Sequence, residues 1–138
     1  MASFHKNKTL ATLLAAATGA LGLHRFYLSG FRDPWGWLHV ATAPLAGLLV
    51  MMGGDRPRLF LAMPLILSAL AAVIEALVIG LTPDEKWDAQ HNADSGQKSA
   101  SHWPLALTLV LTTGLGAVAI IAVIARTFDL LYTGGAYG

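Results

Sequence analysis

From Trp103 to Ala125 the chain carries no charged residue, and this single run decides what kind of molecule it can be. The hydrocarbon core of a bilayer is spanned by about 20 apolar residues as a helix, because in lipid every backbone polar group must be satisfied within its own segment. Three more apolar segments precede that run. The first extends from Thr9 to about Leu28, although its uncharged part stops at Leu23, before His24 and Arg25. The second runs from about Gly36 to Gly53 around Pro44, and the third from about Leu59 to Leu81 with Pro64 and a single charge, Glu75. Charged residues make up 12% of the chain and hydrophobic ones 55%. A soluble domain carries about 25% charged residues, so this composition cannot furnish a soluble surface. No stretch alternates apolar and polar residues as a membrane barrel strand does. The expected fold is all-α: a polytopic membrane protein with four transmembrane helices, over about 9–28, 36–53, 59–81 and from 103, plus a short interfacial helix.

Lys6 and Lys8 ahead of a run ending in Ala15-Ala16-Ala17 also have the form of a signal peptide with its cleavage site. The apolar character resumes at Phe26-Tyr27-Leu28, which favours a retained helix. Most connections are short. Ser29 to Trp35 is a Gly/Pro/Asp turn with an interfacial tryptophan, and Gly54 to Arg58 is a tight basic turn. The long connection begins Thr82-Pro83-Asp84-Glu85, where Thr82 as cap and Glu85 as its reciprocal partner predict a surface helix over 83–91 with Trp87 at headgroup level. Residues 92–102 have the composition of a flexible, solvated linker, leaving 103–138 as the fourth helix and its tail. With four crossings both termini share a face with the Gly54–Arg58 turn. Basic residues near helix ends then place both termini in the cytoplasm and the chain in the inner (plasma) membrane.

The absence of cysteine excludes disulfides and thiolate metal sites, and a net charge of +1 gives no reason to expect a nucleic-acid partner. No nucleophile–base constellation, phosphate loop or dinucleotide fingerprint is present, so neither an enzyme nor a cofactor is expected. Ala11, Ala15 and Gly19 repeat small residues at four-residue spacing, and Gly116 with Thr113, Gly114 and Ala117 forms a second such patch. Faces of this kind let helix backbones approach closely, within the chain or between chains. Glu75 lies about 10 Å inside its helix by the 1.5 Å rise, where an ionisable group needs a partner. If the first and third helices run in parallel, their C-terminal ends meet, and Glu75 pairs with Arg25 or bonds to His24. Asp84, Asp88 and His91 fall on one helical face at i, i+4 and i+7, with His102 not far along the chain, a weak candidate metal site. His39 reads as an interfacial polar residue, since haem ligation would need a facing histidine that the sequence does not identify.

The string from Lys6 to Gly30 resembles the first half of the TM-two domain family, which includes the bacterial NINE proteins. Basic residues precede a small-residue helix, followed by Gly22, His24, Arg25, Phe26, Tyr27, Leu28 and Gly30 in the family's signature order. Val73-Ile74-Glu75-Ala76-Leu77 is similar to the end of the family's second helix, with Glu in place of Asp. The resemblance implies that roughly 20 residues between Gly36 and Glu75 are additional and that the last helix is a further addition. It implies a helical hairpin but no biochemical activity. The functional expectation is an accessory or scaffolding subunit that binds other membrane proteins or itself, within the lipid bilayer. The alternative is a small transporter or ion-conducting oligomer using Glu75.

Overall fold

The computed structural model describes residues 4–137, which are helical wherever they are regular. In chain order the elements are α1 (Lys8–Thr18), a 3₁₀ turn (Gly19–Leu21), α2 (Leu23–Ser29), α3 (Pro34–Met52), α4 (Arg58–Leu61), α5 (Met63–Leu81), α6 (Asp84–His91) and α7 (Trp103–Tyr132). Among the described residues, three helices are long and apolar enough to cross a membrane: α3, α5 and α7, with mean hydropathies of 1.4, 2.3 and 2.4. Their outward faces are apolar, as at Leu67, Val78, Val110, Leu115 and Ile121, all more than half exposed. In water such a surface would drive aggregation; in lipid it costs nothing. Pro34, Pro64 and Pro104 each lie in the first turn of their helices, where the missing N–H matters least, whereas Pro44 stands inside α3.

The first segment departs from the expected single crossing over 9–28. α1 starts under an Asn7 cap, whose side chain accepts from the Leu10 N–H at 3.1 Å, and it packs antiparallel to α5. Lys8 Nζ donates to the Thr82 carbonyl at 2.9 Å, near the end of α5, whereas the Ala20 carbonyl accepts from Ser68 Oγ at 2.8 Å, near its start. The chain then reverses. Gly22 has φ +72°, a left-handed conformation that side chains resist, and a methyl there would also lie 2.6 Å from the Gly36 carbonyl oxygen. α2 returns alongside α1, so that the Asn7 N–H donates to Tyr27 Oη at 2.8 Å and Lys6 Nζ donates to the Leu28 carbonyl. Residues 6–8 and 27–28 therefore sit at one end of the bundle. What the apolar pattern presents as one helix is a helical hairpin that enters and leaves at the same end.

Close approach of small residues packs this hairpin on α5, and α5 on α7. Ala11 and Ala15 are completely buried, and a methyl on Gly19 would lie 2.5 Å from Ala72 Cβ. One on Gly80 would meet Leu109 at 2.6 Å, and one on Gly116 would meet Val73 at 2.5 Å. The small-residue positions are thus used for packing inside the chain, where van der Waals contact replaces the absent hydrophobic drive. Gly114 faces open space instead. The matches Gly80–Leu109 and Gly116–Val73 also make α5 and α7 antiparallel. α7 continues to Tyr132, seven residues past the end of the uncharged run at Ala125. Its 30 residues make a rod of about 45 Å, longer than a bilayer core.

At the end of the bundle where Lys8 meets Thr82, α6 and the following segment form a polar cap. Helix α6 lacks the expected capping box: Thr82 Oγ1 donates back to the Val78 carbonyl at 2.6 Å, and Pro83 occupies the cap position. Trp87 is enclosed by the chain itself rather than presented on the surface of α6. It is 1% exposed, and its Nε1–H donates to the Lys6 carbonyl at 3.1 Å. The supposed linker 92–102 is tied to α6: Ser99 donates to Asp88 from both its backbone N–H and its hydroxyl, and Ser101 does the same to Asp84.

Candidate functional site

The polar residues buried between the hairpin, α3 and α5 converge on Glu75. It lies six residues before the end of α5, about 9 Å in by helix rise. Its Oε1 accepts from Arg25 Nη2 at 2.8 Å, and its Oε2 lies 2.6 Å from His24 Nε2 and 3.3 Å from His39 Nε2. His24 and Arg25 both come from α2, so the reversal at Gly22 is what carries them to α5. The parallel arrangement of first and third helices that motivated this pairing is absent; the return leg achieves the meeting. A carboxylate with both oxygens engaged by cationic or N–H-bearing partners is the arrangement that an apolar medium demands of a buried charge.

His39, on α3, is a member of this cluster that the sequence had assigned to an interface. Its ring lies 5.8 Å from that of His24, edge to face. Its Nδ1 is 2.6 Å from Ser68 Oγ, and Ser68 donates its one hydroxyl proton to the Ala20 carbonyl. Ser68 therefore accepts from His39, and hydrogen bonds link His39 through Ser68 to the 3₁₀ turn of the hairpin, with Glu75 in contact with His39 at 3.3 Å. Nothing in the sequence around Ser68 signals this role; serine in a membrane helix more often bonds back to its own turn. His24 is fully buried, and its Nδ1, like Nε of Arg25, has no hydrogen-bond partner. On its outer side the cluster borders a groove of about 490 Å³ between α3 and α5, lined by Glu75, Arg25, His39, Ser68 and Thr42 beneath apolar walls that include Leu38 and Leu67.

Each residue of the Gly22–Gly30 signature has a place in this construction. Gly22 makes the reversal, and His24 and Arg25 hold Glu75. Phe26 packs on Phe31 and Trp37, with ring centroids 5.3 and 5.4 Å apart, and lies so close to α3 that a methyl on Gly36 would meet its ring at 2.6 Å. Tyr27 and Leu28 bind the start of α1, and Gly30 ends α2 with φ +77°. Arg25 also reaches Asp33, at 3.8 Å, whose carboxylate caps α3 through the Trp35 N–H.

The Asp84, Asp88 and His91 face does not assemble into a metal site. Asp84 is bound by Lys8 and Ser101, and these bonds, the Lys8 one foremost, hold its carboxyl below the usual carboxylate range. Asp88 is held down to about 2, first by Asn92 and then by Ser99. His91 lies tilted against Trp87, with centroids 4.3 Å apart; burial lowers its pKa, and nearby Lys6 adds to the effect. His102 stands exposed at the start of α7. Among the described residues, the group whose ligand atoms do converge is His24, His39 and Glu75, all within 4.8 Å of one another. No protein-family model, curated protein or solved structure matches the chain.

Proposed function

We propose that this is a multi-pass plasma-membrane protein of the TM-two kind that acts as a non-catalytic accessory or scaffolding subunit, binding another membrane protein or a second copy of itself. The reading rests on one observation: Glu75 is closed on both oxygens by Arg25, His24 and His39, so its carboxylate clasps the hairpin to α5. Three helices cross the bilayer, and the α1–α2 hairpin enters from one face without reaching the other. Residues 6–8, 29–33 and 82–102 then share one face, with the Gly54–Arg58 turn and the end of α7 on the opposite one. Lys6, Lys8, Arg32, Lys86 and Lys98 on the first face outnumber Arg56, Arg58 and Arg126 on the second, which places the N-terminal end in the cytoplasm. In this reading the two termini lie on opposite faces, where four crossings would put both in the cytoplasm. Purification in mild detergent with mass-spectrometric identification of companions tests the role. A stoichiometric membrane partner or a stable oligomer is expected, and a solitary monomer overturns it.

A second reading, a small transporter, draws support from the groove that reaches Glu75 and His39 between α3 and α5. Ion or proton flux into proteoliposomes that falls at least about 10-fold in Glu75→Gln, with the fold intact, would establish it. Flux unchanged by that substitution removes it.

A further inference from the structure

We infer that His24, His39 and Glu75 form a binding site for one divalent transition-metal ion of the zinc class, with its fourth position open to the groove between α3 and α5. The argument starts from a proton. Ser68 has a single hydroxyl proton and gives it to the Ala20 carbonyl at 2.8 Å, so the 2.6 Å contact between Ser68 Oγ and His39 Nδ1 must use a proton on the ring. A neutral His39 so held presents the bare lone pair of Nε2 to Glu75 Oε2, 3.3 Å away. Two acceptors facing each other at that distance inside an apolar bundle repel unless a cation lies between them.

His24 Nε2 completes a three-ligand set, and one ligand atom from each of the three residues lies within 4.8 Å of the other two. Ligands at about 2.0–2.2 Å from a tetrahedral ion stand about 3.3–3.5 Å apart, so the His39–Glu75 separation already fits. The His24–Glu75 contact, 2.6 Å, has to widen by about 0.8 Å. Ligation through His24 Nε2 requires that ring's proton to sit on Nδ1, and no hydrogen-bond partner at Nδ1 opposes the shift. Two imidazoles and a carboxylate are the donor set of catalytic zinc sites that keep one position free. Two of the three ligands also have the outer contacts that metal ligands need. Ser68 fixes the tautomer of His39, and Arg25 occupies Oε1 of Glu75 at 2.8 Å, leaving Oε2 for the ion. Access runs through the groove, which Glu75 and His39 border while His24 closes the back.

The site is tested on the full chain, purified without a polyhistidine tag in detergent and stripped by chelator, then titrated with Co²⁺ as a spectroscopic probe and with Zn²⁺ in competition. The expected result is one Co²⁺ per chain with the intense visible absorption of a tetrahedral ion, displaced by Zn²⁺. His39→Asn should abolish the band, Ser68→Ala should weaken binding about 10–100-fold, and His91→Asn should leave it unchanged. A folded wild-type chain that shows no tetrahedral Co²⁺ band overturns the inference; the cation between His39 and Glu75 is then a proton. Binding that survives His39→Asn, or that is lost in His91→Asn, also overturns it by placing the metal elsewhere. The wild-type titration decides the matter even if a variant at fully buried His24 fails to fold.

Discussion

Replacing Glu75 by leucine tests whether the clasp holds the bundle together. Glu75 engages Arg25 at 2.8 Å and His24 at 2.6 Å, and removing one partner of a buried ion pair costs about 3–5 kcal/mol because the other charge is left stranded. Here 25% of the Glu75 side chain and 30% of Arg25 are exposed, and Asp33 remains 3.8 Å from the guanidinium. These features reduce the expectation for Glu75→Leu to about 3 kcal/mol. Arg25→Met leaves the carboxylate its two histidines and should cost about 2 kcal/mol. The double variant removes both charges together, so it should cost no more than Glu75→Leu alone, giving a coupling of about 2 kcal/mol. Reversible unfolding in bicelles by added dodecyl sulfate, followed by tryptophan fluorescence, measures all three. A coupling below about 0.5 kcal/mol would refute the reasoning, because the two side chains would then be independent.

The hairpin predicts a labelling pattern that a fourth crossing forbids. Since the chain has no cysteine, single substitutions Phe4→Cys, Asp94→Cys, Asp55→Cys and Tyr137→Cys can be probed with an impermeant maleimide. Phe4 and Asp94 should label from one side, and Asp55 and Tyr137 from the other; Phe4 grouping with Asp55 would contradict the hairpin. Gly116→Leu, pressed against Val73 at 2.5 Å, should destabilise by about 1–3 kcal/mol, while Gly114→Ala in open space should gain up to about 1 kcal/mol from helix propensity. The same unfolding assay reads both, and equal effects would mean that α7 does not pack on α5 through Gly116. The cap should loosen in acid. Asp84 and Asp88 are held below their unfolded value of about 3.9, so their stabilisation is complete above that pH and is lost as pH falls toward about 2. Fluorescence of Trp87, isolated by replacing the other tryptophans, should shift red over that window; an unchanged spectrum down to pH 2 would show that the two aspartates do not hold the cap.

Much of this architecture is legible in one dimension. The uncharged run after Trp103 can only be a buried or lipid-embedded helix, and α3 and α5 begin and end within a few residues of where their apolar runs do. A charge inside an apolar helix must find a partner, which is why Glu75 points to Arg25 and His24 before any coordinates exist. The polar cap reads less well. Thr82-Pro83-Asp84-Glu85 matches a capping box, but Thr82 bonds back to Val78, and the aspartates of α6 are taken up by Lys8, Ser99 and Ser101 from elsewhere in the chain. Capping sequences describe local alternatives, and contacts with distant segments decide among them.

The solvent of this molecule follows from composition alone, because a chain with 12% charged residues has nothing else to present to its surroundings than lipid-compatible surface. Its path through that solvent does not. Apolar residues from Thr9 to Leu28 satisfy a crossing and a hairpin equally well, since hydropathy registers depth and is blind to direction. The choice lies in the left-handed backbone at Gly22 and in the close approach of Gly19 to Ala72 and of Gly22 to Gly36, contacts between residues far apart in the chain. His39 joins Ser68 and Glu75 for the same reason: α3 has to lie against α5 before an imidazole can meet a hydroxyl and a carboxylate two turns apart on one helix.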